Sequence, residues 1–315
     1  MIPDMHVHTR WSSDSKTPVE AQIERAIDLG MKSLCITDHQ DFDAPPFPPD
    51  YFKFLLNDVG DDDTTAAYVA DLTALKEKYQ DKIELLIGIE LGIQPHITEK
   101  LNEYASKYPF DFIIGSTHTF HKMDAEDKRH YEDVDIETAV RQYFEEELKN
   151  VKGFRHFDVA GHMDFVLRYG PGARETFSYS KYGDIIDEIL KELITTGRGI
   201  ECNTSKYKAK NMINPNKEII KRYAELGGEI ITFGSDAHIS ERLGEGFEEV
   251  SQMVKSYGDV YKRQVCTTAQ TQKMLQETKN ERYSVPAEER MRDRRITGSA
   301  LMKCMRRCAS FSKIL

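Results

Sequence analysis

Short apolar runs alternate with longer amphipathic stretches along this chain, the pattern of strands separated by helices. Runs at 3–7, 33–37, 83–90, 112–116, 157–161, 199–203 and 229–234 predict seven strands. Between the first two, Thr17-Pro18-Val19-Glu20 predicts a helix start: an N-cap, a proline at the first helical position and an acidic first turn. Gly30, after Leu29, is its predicted stop. Residues 68–79, 182–194 and 219–226 repeat apolar positions at helical spacing, the last run ending at Gly227-Gly228. Two connections are long. One, 41–65, carries Ala44-Pro45-Pro46-Phe47-Pro48-Pro49 and then Asp61-Asp62-Asp63; the other, 119–134, is charged. A loop as long as the first is functional or disordered in a compact domain. Seven β/α units predict an α/β barrel related to the eight-unit kind, whose sites lie at the carboxyl ends of the strands.

Polar residues at the ends of these runs supply the candidate chemistry. In Asp4-Met5-His6-Val7-His8 the two histidines share one face of a strand, roughly 6–7 Å apart, while Val7 turns to the other. Asp14, His39, Glu90, His118, His162, Asp236 and His238 join them, most of them directly after an apolar run. A single histidine at a strand end is more often a satisfied core or surface residue than a ligand. Nine imidazole and carboxylate residues at the same end of successive units are a different observation. Such donors suit zinc, iron, manganese or cobalt, and the lack of cysteine among them argues against a closed structural zinc. They exceed one ion's needs, which points to a multinuclear site. Asp38 is expected to support a histidine rather than bind metal.

Composition changes this picture little. The 39% hydrophobic fraction rises to about 45% once the 19 glycines are added, ordinary for a globular protein. No uncharged apolar stretch approaches the roughly 18 residues of a membrane span, so a cytoplasmic protein without a membrane partner is expected. The five cysteines form no Cys-x-x-Cys pair and are expected to be reduced, with Cys35 and Cys202 in the core. Charge divides the chain. The net −10 comprises 13 Lys+Arg against 5 Asp+Glu in residues 261–315, and 30 against 48 before them. An acidic body argues against nucleic acid as a partner and suits a site that recruits cations. The basic end lacks sustained periodicity. The expected organisation is a catalytic domain over 1–258 and an atypical basic tail over 259–315, poorly ordered or not the native ending of such a protein.

His6-Val7-His8, Thr37-Asp38-His39, Gly88-Ile89-Glu90, Gly115-Ser116-Thr117-His118, Gly161-His162-Met163-Asp164 and Gly234-Ser235-Asp236-Ala237-His238 resemble the motif series of the PHP phosphoesterase superfamily. More narrowly, Ser12-Ser13-Asp14-Ser15, Glu90-Leu91-Gly92-Ile93-Gln94-Pro95-His96, Tyr108-Pro109-Phe110-Asp111-Phe112 and Arg168-Tyr169-Gly170-Pro171 resemble its histidinol-phosphatase family. The resemblance covers about residues 1–258 and implies a distorted (β/α)7 barrel with its metal site at the carboxyl ends of the strands. It further implies three zinc, iron or manganese ions. His6, His8, Glu90 and Asp236 would hold one; Glu90 would bridge to a second, held by His118 and His162; Asp14, His39 and His238 would hold the third. The implied activity is hydrolysis of L-histidinol phosphate to L-histidinol and phosphate, in histidine biosynthesis, through a hydroxide held on the ions.

Arg168, six residues after His162, can grip phosphate with paired donors; its other reading is a solvated surface charge. Asp164 is a candidate acid for the leaving group. The chain departs from the family at Asn203-Thr204-Ser205, where a phosphate-binding arginine usually follows; Lys206 or Lys208 is expected to supply that charge. A second departure comes after Tyr257-Gly258, where the family's apolar strand is missing. His96, His121, His130 and His156 are expected to be structural or exposed, His121 being the candidate substrate contact among them. The alternative is a PHP phosphoesterase acting on another small phosphate ester or on nucleic-acid ends, with the same ions. An amidohydrolase-like enzyme would need a lysine at a suitable strand end, and none is present. A metal-binding protein without catalysis is the remaining reading.

Overall fold

The computed structural model describes residues 1–42 and 62–258. Its strands are β1 (Ser33–Ile36), β2 (His39–Gln40), β3 (Glu84–Gly92), β4 (Phe112–Ser116), β5 (Thr119–Phe120), β6 (Met123–Asp124), β7 (Val159–Ala160), β8 (Gly199–Asn203) and β9 (Ile231–Gly234). Seven of them form one parallel sheet in the order β1-β3-β4-β7-β8-β9, with β2 also paired to β3. The N-terminal run, expected as the first strand, pairs only through isolated bridges, Asp4 with Leu34 and Val7 with Ala237. It still joins the two edges of the sheet. Cys35 donates its N–H to the Asp4 carbonyl at 2.9 Å, and Met5 donates to the Phe233 carbonyl at 2.9 Å. The sheet therefore curls into a distorted barrel, and His6 and His8 stand at the seam.

Among the described residues ten α-helices accompany it: α1 (Val19–Asp28), α2 (Asp62–Tyr79), α3 (Thr98–Lys107), α4 (Ile136–Gly153), α5 (Val166–Tyr169), α6 (Ala173–Thr176), α7 (Tyr179–Thr195), α8 (Tyr207–Lys210), α9 (Lys217–Glu225) and α10 (Phe247–Ser256). In α1 the buried Val19, Gln22, Ile23 and Ala26 trace one helical stripe. Gln22 reaches past that stripe and donates to the carbonyls of His8 (2.9 Å) and Ala237 (3.0 Å), pinning the seam. The expected cap is corrected here: Pro18 occupies the N-cap position, and the Thr17 hydroxyl donates to the His238 carbonyl at 2.7 Å instead. The charged connection at 119–134 contains the β5–β6 hairpin, turning through His121 and Lys122 with φ of 51° and 61°. Cys35 and Cys202 are free and buried. The expectations for most of 41–65 and for the tail 259–315 lie outside the described residues.

Candidate metal centre

Glu90 is the centre of the site. It stands near the end of β3, fully buried, in register with His39 on β2 and Ile114 on β4. The chain leaves β1 at Ile36 and pairs again at His39, and that break sets the His39 ring beside Glu90 rather than beyond it. Four imidazoles come within 3.1 Å of the carboxylate, and His8 Nε2 stands at 3.6 Å. His6 Nε2 lies 3.1 Å and His39 Nδ1 2.8 Å from Oε2, while His118 Nε2 and His162 Nε2 lie 3.1 and 3.0 Å from Oε1. Burial alone would raise the Glu90 carboxyl, but charge on His6, His39 and His118 holds it well below the usual carboxylate range.

The remaining candidates extend this cluster toward solvent. His8 Nε2 lies 3.2 Å from Asp236 Oδ1, and its ring stacks between His39 and His238 at 4.3 Å from each. Burial, then the nearness of His39 and His238, pushes His8 down to about 3. His238 Nε2 meets Asp14 Oδ2 at 2.7 Å, and the Asp14 side chain is 39% exposed, so this end is the open one. Asp236 adopts a left-handed φ of 54°, which lets its N–H donate to the His6 carbonyl at 2.8 Å while its own carbonyl accepts from His238 Nδ1 at 2.9 Å. All nine candidate ligands thus come together. Three groups bring their donor atoms within 4.8 Å of one another: His8, Asp14, His39 and His238; His6, His8 and Glu90; His39, Glu90 and His118. They overlap the three-ion partition without coinciding with it, because His8 and His39 each stand between clusters.

The donor geometry fits cations. His6 Nδ1 faces Glu201 Oε1 at 2.6 Å, and His8 Nδ1 faces Ser12 Oγ at 3.1 Å, whose own proton goes to Asp38. Both rings therefore keep a proton on Nδ1 and turn Nε2 toward each other, 3.0 Å apart. Burial disfavours charge on His6, but Glu90, Glu201 and Asp236 raise it well above the ordinary value, so without ions the ring tends to hold a second proton, on Nε2. A metal ion replaces such a proton when it binds.

Supporting residues were only partly legible in the sequence. Asp38 accepts from the Thr9 N–H (2.6 Å), Thr9 Oγ1 (2.8 Å) and Ser12 Oγ (2.7 Å), and so reaches His8 through Ser12 as expected of a supporting group. Ser116 Oγ donates to Glu90 at 2.6 Å. Asp41 was not foreseen. Its carboxylate meets His118 Nδ1 at 2.8 Å, in space kept open by Gly92, where a Cβ would strike it. Burial disfavours charge on His118, but Asp41 and Glu90 raise it to about 10. Glu201 was missed as well, although a carboxylate inside the apolar strand β8 was a readable signal.

Arg168 is not a solvated surface charge. Its side chain is 5% exposed, lies over the Phe165 ring, and donates to Asn214 Oδ1 (2.7 Å), Asn203 Oδ1 (2.8 Å) and Asp236 Oδ2 (3.3 Å). Asp164 lies behind it. Both Asp164 oxygens are engaged, by Asn214 Nδ2 and the Asn216 N–H at 2.6 Å each, and burial pushes the carboxyl up to about 6 despite these donors. That arrangement steadies Asn214 and through it Arg168. Lys206 is half-buried, and its ammonium is lowered by burial and then by Arg168. Lys208 is exposed on α8, and His121 sits at the exposed hairpin tip beside Phe120 and His130; among the described residues neither contacts the cluster. His130 stacks on Phe120 at 3.7 Å, His156 meets Ser106, and His96 is exposed after β3.

A curled parallel sheet with a buried imidazole–carboxylate cluster at its carboxyl ends defines a PHP-type protein. Residues 4–205 match the PHP domain, and the chain belongs to the PHP domain family. Within that family its relatives include proteins named histidinol-phosphatase. The histidinol-phosphatase of Lactococcus lactis is 28% identical over 81% of this chain and 91% of the relative. A Clostridium acetobutylicum protein named probable histidinol-phosphatase is 30% identical over 81% of this chain and 94% of its own. The crystal structure of the Lactococcus lactis histidinol phosphate phosphatase, complexed with zinc, L-histidinol and phosphate, superposes with a TM-score of 0.72 at 29% identity, covering 82% of this chain and 94% of that one.

Proposed function

We propose that this protein is a metal-dependent phosphomonoesterase that hydrolyses L-histidinol phosphate to L-histidinol and phosphate. One observation carries the reading: a single buried carboxylate, Glu90, has four imidazoles within 3.1 Å while Arg168 is held at the adjoining Asp236. The Lactococcus lactis relative, similar over 94% of its length, was crystallised with zinc, L-histidinol and phosphate. We assign His6, His8, Glu90 and Asp236 to one ion, Glu90, His118 and His162 to a second, and Asp14, His39 and His238 to a third, of zinc, iron or manganese. Such ions supply Lewis acidity toward a phosphoryl oxygen and bring a water's pKa toward neutrality.

The chain's own residues divide the rest of the work. Glu90 holds the two inner clusters together with one negative charge. Asp41, Ser12 with Asp38, and Glu201 fix the imidazoles' tautomers and ring orientations. Arg168 uses three of its five donor hydrogens on Asn203, Asn214 and Asp236, which leaves one on each terminal nitrogen for phosphoryl oxygens. Lys206 adds a point charge beside it; Lys208 and His121 are assigned no contact, and Asp164 is assigned to support of Arg168 rather than proton donation. We place the activity within residues 1–258, since every assigned group precedes position 239. A cytoplasmic enzyme with no nucleic-acid or membrane partner accords with the acidic body and the free buried thiols.

Phosphate release from histidinol phosphate, nucleoside monophosphates and 3′-phosphorylated DNA tests the substrate. Histidinol phosphate is expected to give the highest kcat/KM; a nucleotide or DNA end turned over faster would transfer the protein to the alternative reading. Arg168→Lys keeps the charge but loses the planar fork, and is expected to lower kcat/KM roughly tenfold to a hundredfold. Unchanged kinetics would remove Arg168 from the phosphate site.

A further inference from the structure

Glu201 is a fully buried carboxylate in the middle of the barrel wall, and a structural role alone explains it poorly. A hydrophobic residue would fill the same strand position without the cost of desolvating a charge. Its partners are specific. Oε1 accepts from His6 Nδ1 at 2.6 Å and from Asn203 Nδ2 at 3.2 Å; Oε2 accepts from the His162 N–H at 2.8 Å. Gly234 on β9 makes the room, since a Cβ there would strike both the carboxylate and His6.

The two rings it addresses lie on opposite oxygens of Glu90: His6 on Oε2 at 3.1 Å, His162 on Oε1 at 3.0 Å. Two carboxylates thus face each other with the same two histidines between them, one holding their Nε2 ends, the other a ring nitrogen and a backbone. Asn203 extends the link, donating to Glu201 and to Asp236 Oδ2 at 3.2 Å while accepting from Arg168.

We propose that Glu201 is a positioning residue that fixes His6 with its proton on Nδ1 and sets the spacing of His6 and His162 across Glu90, so that filling either inner metal position favours filling the other. This rests on the metal-dependent reading of the same site. A carboxylate suits the task because N–H donors meet both of its oxygens, His6 and Asn203 on one and His162 on the other. An amide of equal size has one accepting oxygen and turns an NH2 toward the donors on its other side.

The test is stepwise zinc titration of the metal-free protein and of its Glu201→Gln variant by calorimetry, with circular dichroism to verify folding. The variant is expected to bind the inner ions roughly 10- to 100-fold more weakly and without coupling. It should keep the affinity of the outer position at Asp14, His39 and His238, and lose kcat with little change in KM. Inner-ion affinities equal to the parent's would overturn the proposal. Should the variant not fold, imidazole 15N spectra of the zinc-loaded parent decide the matter: His6 protonated at Nδ1 supports the proposal, and metal bound through Nδ1 rejects it. A parent that binds no ions, or hydrolyses no phosphate ester, would instead reject the functional reading on which this rests.

Discussion

Glu90→Gln is expected to lower kcat by about a thousandfold while the protein remains folded. The substitution hardly alters volume, and it removes the one negative charge that touches both inner clusters. Four imidazoles surround that charge within 3.1 Å, and charge on three of them, His6, His39 and His118, holds the carboxyl well below its ordinary range despite burial. Two cations sharing a ligand repel each other, and a neutral amide offsets none of that repulsion. Losing about 4 kcal/mol of metal-derived transition-state stabilisation corresponds to roughly a thousandfold in rate. His96→Gln is the control. His96 is exposed on the turn after the same strand, so near-parental rates are expected. Steady-state kinetics and metal content of both variants provide the check. Equal losses would mean that the ligand assignment at β3 is wrong.

The parts of the site that could be read from the chain are those with local causes. His6 and His8 share a strand face by period-two geometry, and Glu90, His118, His162 and Asp236 each follow an apolar run, so sequence placed them at strand ends. The sheet itself was legible for the same reason: six of the seven expected strands are paired where the apolar runs lie. What escaped depends on partners distant in sequence. Asp41 meets a histidine 77 positions away and Glu201 one that is 195 positions away, and neither carries a spacing signal. Thr17 looked like a cap because a proline and an acidic first turn follow it, yet Pro18 takes the N-cap position and the Thr17 hydroxyl donates to the His238 carbonyl, 221 positions on. For Arg168, only Asn203, Asn214 and Asp236, all at least 35 positions away, distinguish it from a solvated surface charge. Long amphipathic helices such as α4 also went unassigned, although Tyr143 and Asn150 from that helix hold Thr117, the residue before His118, at 2.8 and 2.7 Å.

Removal of the ions is expected to abolish phosphate release, and added zinc, manganese or iron to restore it. The loss should exceed that from any ordinary side-chain truncation, because the ion-free site fails in two ways. It lacks Lewis acidity, and it presents Asp14, Glu90 and Asp236 to an anionic substrate. Charge on His6 and His39 compensates in part, since carboxylates raise both despite burial. Those protons are bound in the positions that cations would take, so ions and protons compete, and exhaustive chelation should proceed more readily as pH is lowered. Elemental analysis belongs beside the assay. Fully active protein is expected to carry at least two ions per chain, because Glu90 has imidazoles on both oxygens. One ion or fewer in fully active protein would reject the multinuclear assignment alone. Undiminished turnover of histidinol phosphate by protein verified as metal-free would reject metal-dependent hydrolysis, leaving Arg168 and Lys206 as the cationic groups beside the cluster to carry the phosphoryl charge.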